Sequence, residues 1–535
     1  MSIHWSTGLA AVLLCTAAAS QPQPYEGQPE KLGSVSFPVS CNAAAQRNFT
    51  RSVALYHSYY WPEARKAFAA ASQADASCAM AHWGEAIIEI GNAFTWPLRG
   101  KALVAGQQAI ERAQALDAKT QRERDFIAAV GNFFADHQKV PARTRQLAYE
   151  LALEKMTRDH PNDVEIIVFH AHVLSANFDP NDKQYTNQLR AADTLEKLYV
   201  ALPDHPGVAH YLIHSYDFPA LAQRALPAAM HYRTIAPSAP HALHMPSHTF
   251  TRLGMWKESV TSNQAVLALP GVDIVSRLHS LDYMAYAYLQ LGQNRAAEGV
   301  LDEIRAISSK IEGDTLFAAA YALAAIPARI NMEHARWADA AKLKLQPDDL
   351  LFNWQQFPHA QAVSVFARGL GAARAGDVEG ARRETQRLTQ LRSEMTAAIL
   401  NYWANQTAIQ IKTVEAWTLR AEGKTDEALV AMRTAADLED ATDKAAVTPG
   451  PVKPARELLA EMLAEAKQPA AALAEFELAI KKEPGRYRAL LGAARAAEST
   501  GDRPRARDHY RQLVKQWDGA DSDARELASV RRGAN

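Results

Sequence analysis

Several things are scarce in this chain, and each scarcity excludes something. Cysteine is nearly missing, three in 535 residues, and with no CxxC pair this is not a disulfide-built fold. Net charge is nearly missing too. Lys+Arg (58) and Asp+Glu (59) cancel to −1, leaving no general field to draw in nucleic acid or an anionic membrane surface. Beyond residue 20 no apolar run is long enough to cross a bilayer. From Cys41 to Arg532 there is no strand-like alternation. A glycine-rich phosphate loop and a GxSxG elbow are also absent, which argues against a nucleotide cofactor and against serine-hydrolase chemistry.

The amino end does hold one short apolar run. Gly8 to Ala19, within Ile3 to Ser20, has the length of a signal-peptide core, with small residues before Gln21, Pro22 and Pro24. No Lys or Arg precedes it, and Leu14 stands where a lipoprotein signal wants a small residue before Cys15. The reading is a cleaved signal over residues 1–20 and an exported protein, periplasmic or secreted, with an extended arm over residues 21–40. Export leaves Cys41 and Cys78 as an even pair in a compartment that tolerates disulfides. A bridge between them is expected, and two buried free thiols are the alternative.

What fills the rest is helix after helix, rich in alanine and punctuated by Gly, Pro, Asn and Asp. Ala472 and Ala506 lie 34 residues apart, each followed four positions later by an aromatic, Phe476 and Tyr510. That period resembles the tetratricopeptide repeat. Ala64 with Phe68, Ala225, Ser259, Ala297, Ala381 and Ala428 carry the same register. One helix hairpin cannot bury its apolar stripe, so such units stack. The expected fold is all-α, a right-handed α-solenoid of tetratricopeptide-like hairpins with a concave groove. Residues 41–446 form its main body, 447–454 a Pro-rich connector, and 455–535 the last repeats. The polar stretch 177–188 (NFDPNDKQYTNQ) reads as a loop insertion, and both it and the connector could fold over the groove mouth or leave it open.

The most informative stretch runs from His205 to His248. Seven of the chain's 18 histidines fall there, and His210/His214 and His244/His248 have i, i+4 spacing. On a helix that spacing stacks two imidazoles on one face, where they can converge on one ion. The repeat frame puts His210, His214 and Asp217 on the groove face, with Leu212, Ile213 and Tyr216 on the packing side. The next unit adds His279, Asp282 and Tyr286 to that face. Pro246 suits the first position of a helix, which leaves His241 and His244 in the turn before it and His248 in its first turn.

Three readings compete for this cluster: structural hydrogen bonding across hairpins, a divalent metal site, and a metal-free titrating groove for an acidic ligand or peptide. The metal reading takes His210, His214, His244 and His248 as ligands, with His241, Asp217, His279 and Asp282 as further groove residues. Imidazole ligation without thiolate suits copper or zinc, and Met245 or Met255 would favour copper. No HExxH glutamate is present, so peptidase chemistry has no support. Asp217, Asp282, Tyr211 and Tyr216 are candidate helpers for any reaction at an open metal position. His57, His82, His170 and His172 are weaker candidates.

The segments CAMAHWGEA, HPGVAHYLIHSYD, APSAPHALHMPSHTFTRLGMW, LDYMAYAYLQLG, AAIPARI, AADLEDA and VTPGPVKPARELL together resemble a family of exported bacterial tetratricopeptide-repeat proteins. The resemblance covers most of the mature chain and implies an α-solenoid outside the cytoplasm, but no reaction. Two functions follow from the residues: a metalloprotein, with or without metal-dependent catalysis, or a scaffold that binds a peptide or partner protein in its groove.

Overall fold

The computed structural model describes residues 30–98, 100–307, 309–312, 316–444, 447–521 and 526–535. The expected signal over residues 1–20 and the first part of the arm lie outside these. Every regular element among the described residues is helical, from Ala43–His57 to Leu527–Ala534. Consecutive helices pack on one another, and alternate ones also meet: Ile274–Gln290 on Phe317–Glu333, which packs on Pro358–Arg374, which packs on Asn401–Ala421. This is an all-α solenoid of tetratricopeptide-like hairpins.

The repeat register read from the sequence holds at each position. Ala64, Ala225, Ser259, Ala297, Ala381, Ala428, Ala472 and Ala506 are all buried, as are Phe68, Phe476 and Tyr510. Their partners explain why. A Cβ on Gly84 would sit 2.1 Å from Phe68, and one on Gly492 2.3 Å from Phe476. Each aromatic therefore fills the space of a missing side chain on the facing helix, and the two helices close to contact distance.

Buried apolar residues form two large cores, one spanning Leu32 to Phe250 and one spanning Trp256 to Ala506. The histidine-rich segment lies where they meet. Pro240–His244 and Pro246–Arg252 are two short helices broken at Met245, and Trp256–Leu267 follows at once. At this seam imidazole takes the place of aliphatic packing.

The second half of the array curls back on itself. Trp256 Nε1 donates to the Gly485 carbonyl (3.0 Å), and the Gln290 side chain accepts the Tyr487 N–H (3.0 Å). Trp517 Nε1 donates to the Gln290 carbonyl (3.0 Å). The last repeats thus dock on helices 197 to 229 residues earlier.

The described part of the arm, from Glu30 to Ser40, has no helix and runs along the first repeats. Phe37 is buried against Phe49, and Ser40 donates through its N–H to Glu123. Cys41 and Cys78 form a disulfide. The stretch expected as a loop at 177–188 is shorter: a helix begins at Thr186, because the Asp182 carboxylate accepts the Thr186 N–H. Lys183 from this loop reaches Asp443 (2.7 Å), beside the connector. The connector itself wraps a buried guanidinium, Arg329, through the Gly450 and Pro451 carbonyls and Thr448. No helix among the described residues is long and apolar enough to cross a membrane.

Candidate metal centre

Four helices bring six of the histidines together. His210 and His214 stand on Pro206–Ser215, His241 and His244 on Pro240–His244, His248 on Pro246–Arg252, and His279 on Ile274–Gln290. The i, i+4 pairs do share a face, with ring centroids 4.8 Å apart for His210/His214 and 5.1 Å for His244/His248.

The four histidines expected to form one ligand set divide between two groups. His210, His214 and His241 form one, and His244, His248 and His279 the other, each with its ring nitrogens within 4.8 Å of one another. His241 and His279, named only as further groove residues, complete the triads. The rings are also more enclosed than a groove face would make them. His210, His214, His244 and His248 are buried, and only His241 and His279 reach partly to the surface.

Hydrogen bonds fix which nitrogen carries the proton in three of the six rings. Asp217 Oδ2 lies 3.0 Å from His248 Nδ1. Burial alone would raise this carboxyl, but Lys444 and Arg252 beside it hold it well below the usual carboxylate range. It is therefore ionised, a pure acceptor, and His248 Nδ1 must bear hydrogen. His244 Nδ1 lies 2.6 Å from Asn263 Oδ1. The Asn263 amide donates to the Ser259 carbonyl (2.8 Å), which fixes its orientation and leaves Oδ1 the acceptor. His244 Nδ1 must bear hydrogen as well.

Both Nε2 atoms are then bare, and they face each other at 3.1 Å. Tyr283 donates its hydroxyl to His248 Nε2 from 3.2 Å, but nothing places a proton between the two rings. Protonating one ring is opposed by the surroundings. Burial, with His279 and His248 adjacent, pushes His244 well below its ordinary value, and burial lowers His248 despite Asp217. Two lone pairs at this distance repel unless a cation lies between them. Nitrogens bound tetrahedrally at 2.0–2.1 Å are about 3.3 Å apart, so the pair already has ligand spacing.

The first triad is built on the same plan. His210 Nδ1 donates to the His57 carbonyl (2.6 Å), and its bare Nε2 faces His241 Nε2 at 3.1 Å. His214 Nε2 is buried with no hydrogen-bond partner, and its ring is stacked on Phe94 at 4.3 Å. Burial first, then the neighbouring imidazoles, pushes His210, His214 and His241 well below the ordinary histidine range. They are neutral, the form that binds metal.

A third group, His57, Glu165 and His205, differs in kind. His205 Nδ1 accepts the Val208 N–H and its Nε2–H donates to Glu165 (3.1 Å). The Tyr211 hydroxyl donates to His57 Nδ1, and His57 Nε2–H donates to the other Glu165 oxygen (2.9 Å). Every proton has an acceptor, and this group is structural.

Other expected residues lie elsewhere. Asp282 faces Arg329 (3.0 Å) rather than the imidazoles, because a full guanidinium charge buried beside it claims the carboxylate. Asp217 acts behind His248 and not as a facing ligand. Tyr211 bonds His57, and Tyr216 donates to Glu196 (2.7 Å), so neither hydroxyl points at the triads. Tyr286 donates to Glu483 (3.2 Å). Met245 is in the apolar core. His82 pairs with Glu85, and His172 Nε2 with Tyr59. Sequence reasoning did not find Asn263, Arg252, Lys444 or Tyr283, none of which belongs to a histidine motif.

No protein-family model matches the chain, and no curated protein matches it. Solved structures with a similar arrangement of helices include the human IFIT1 dimer with m7Gppp-AAAA (12% identity, 82% of this chain and 90% of that one, TM-score 0.38). Others are the APC/C hetero-tetramer Cut9-Hcn1 (13%, 84% and 76%, 0.34) and yeast Tom70 (11%, 91% and 94%, 0.27). At such identities and scores nothing of those proteins' ligands or partners carries over.

Proposed function

We propose that this protein is an exported metal-binding solenoid that holds a copper or zinc ion in the seam between its two cores, with His244, His248 and His279 as the primary ligands. The observation that carries this reading is the pair of bare Nε2 atoms facing at 3.1 Å, each fixed by an acceptor behind it. Metal-ligating histidines commonly donate their other ring N–H to a carboxylate or carbonyl oxygen, which fixes ring and tautomer. Asp217, Asn263 and the His57 carbonyl do this for three of the six rings. The disulfide supports an oxidising compartment, and with it the export signal read from residues 1–20.

Three nitrogen ligands leave a fourth position for water or substrate, the arrangement of catalytic rather than structural sites. Lewis-acid or redox chemistry at that position is the reaction class the site supports. The second reading, a scaffold that binds a peptide or partner protein, is favoured by one feature: a cleft of about 290 Å³ lined by Trp337, Arg374, Arg488 and Arg495, with no histidine in its lining.

Elemental analysis of protein purified without a metal-affinity tag tests the metal reading. Bound copper or zinc that is lost in His244→Ala/His248→Ala, with helicity retained, is the expected result. A wild-type protein that stays metal-free after incubation with either ion, with an unchanged melting temperature, would overturn it and leave the scaffold.

A further inference from the structure

On the metal reading the second triad would hold one ion, and the first offers a donor set of its own. We infer that the pocket is dinuclear: a second ion sits on His210, His214 and His241, and the two share a small bridging anion. The inference rests on the metal reading above and extends it.

Spacing supports a single pocket. Between the triads, ring centroids are 5.8 Å apart for His241/His244 and 6.1 Å for His214/His248. Within the triads the corresponding distances reach 6.3 Å, for His214/His241 and His248/His279. The closest approaches between the groups are thus longer than the 4.8 and 5.1 Å of the i, i+4 pairs but shorter than the widest separation inside either triad. Ions lying about 2.0–2.1 Å from each set of nitrogens can approach the ~3.5–4 Å separation of two-metal sites.

His214 supplies the independent sign that something belongs there. Its Nε2 is buried without a partner, and an unmatched buried polar atom is destabilising. No described protein group satisfies it, and a ring nitrogen of His214 lies within 4.8 Å of those of His210 and His241, where a shared ion would give the three a common partner.

The two triads will not load equally. At the His244/His248 pair both Nδ1 positions are tied to acceptors, so neither Nε2 carries a proton and an ion displaces only the Tyr283 hydroxyl from His248. At the His210/His241 pair, His241 Nε2–H can donate to His210 Nε2, and an ion must first move that proton to His241 Nδ1. The first equivalent of metal therefore goes to His244, His248 and His279.

Charge requires the bridge. Six neutral imidazoles contribute nothing against two divalent ions, and Asp217 is already matched by Arg252 (2.9 Å) and Lys444 (3.3 Å). A hydroxide supplies part of the missing negative charge, formed when a water between the ions releases one proton to solvent, and anions from solution supply the rest. Small anions with two donor sites, azide among them, should replace it.

Titration of the metal-free full chain with Cu(II), followed by metal content and electron paramagnetic resonance, tests this. Two ions should bind. The first should give a full spin count and the second should add less than one spin because the bridged pair couples. Azide should produce a new charge-transfer band only after the second equivalent. His210→Ala/His214→Ala should bind one ion, and that retained ion reports an intact fold; His241→Ala, at the partly exposed edge, should do the same if the double variant unfolds. Saturation of wild type at one equivalent would overturn the inference while leaving the metal reading intact. Two fully uncoupled spins, or two ions retained in both variants, would also overturn it. No uptake at all would instead mark failure of the underlying metal reading.

Discussion

His244 and His248 turn their Nε2 atoms toward each other at 3.1 Å while Asn263 and Asp217 hold the protons on the far side of both rings. Histidines meant only as structural glue would place a proton in each close contact, as His57 and His205 each do toward Glu165. Here the proton is missing by construction, and the absence has consequences that can be measured.

Asn263 is the cheapest place to test that construction. Replacing it with alanine frees His244 Nδ1 to lose its hydrogen, so His244 can donate from Nε2 to His248 and relieve the conflict without metal. Metal affinity should fall 10–100-fold, with helicity retained, as measured by competition with a chromophoric chelator. Unchanged affinity would mean the tautomer does not matter.

Acid should weaken the metal-free fold. Burial lowers the folded-state pKa of the histidines in both triads, and takes His172 and His359 down to about 3. Below the unfolded value near 6.5 the unfolded chain gains protons that the folded chain refuses. Stability is full above pH 6.5 and falls as pH drops through the window toward 3, by up to ~1.4 kcal/mol per pH unit for each such ring. The urea midpoint at pH 5.5 should lie below that at pH 7.5, and a flat profile would contradict neutral burial.

Glu439 should act in the opposite direction. Burial raises its pKa to about 8, while its carboxyl accepts the Ala455 N–H at 2.8 Å. The folded chain holds a proton that the unfolded chain releases near 4.5, so this contribution is full below 4.5 and lost as pH rises through 8. Glu439→Gln keeps an acceptor for Ala455 and removes the penalty. It should be stabilising by ~1–3 kcal/mol at pH 8 and near neutral at pH 4.5, read from denaturant curves at the two values.

The Cys41–Cys78 bridge closes a loop across a sequence separation of 37. Chain-entropy arguments assign a loop of that size about 4 kcal/mol. Cys41→Ser/Cys78→Ser should unfold earlier in denaturant, and proteolysis should begin in the first hairpin. Identical midpoints with and without reductant would show that the first repeats hold without it.

The solenoid was legible because its signal is local. A small residue followed four positions on by an aromatic marks the second helix of each unit wherever it occurs, and Ala64/Phe68 and Ala472/Phe476 read alike. The i, i+4 histidine pairs were legible for the same reason. Their division into two triads was not, since His241 and His279 join only once three hairpins have stacked. Asp282 was misplaced because three residues from His279 on a helix means a shared face, and the pattern contains no trace of Arg329 in the next hairpin. Lys444 meets Asp217 from 227 positions away, beyond what any short motif can show.

The docking of the last repeats on Gln290 and Trp256 changes how this array should come apart. An open stack of repeats loses its terminal units first, each fraying at the cost of a single neighbour interface. Here the carboxy-terminal end has a second set of attachments near the middle of the chain, so its departure must disturb the wall that holds His279. Melting at that end and loss of the histidine pocket should therefore be one cooperative event.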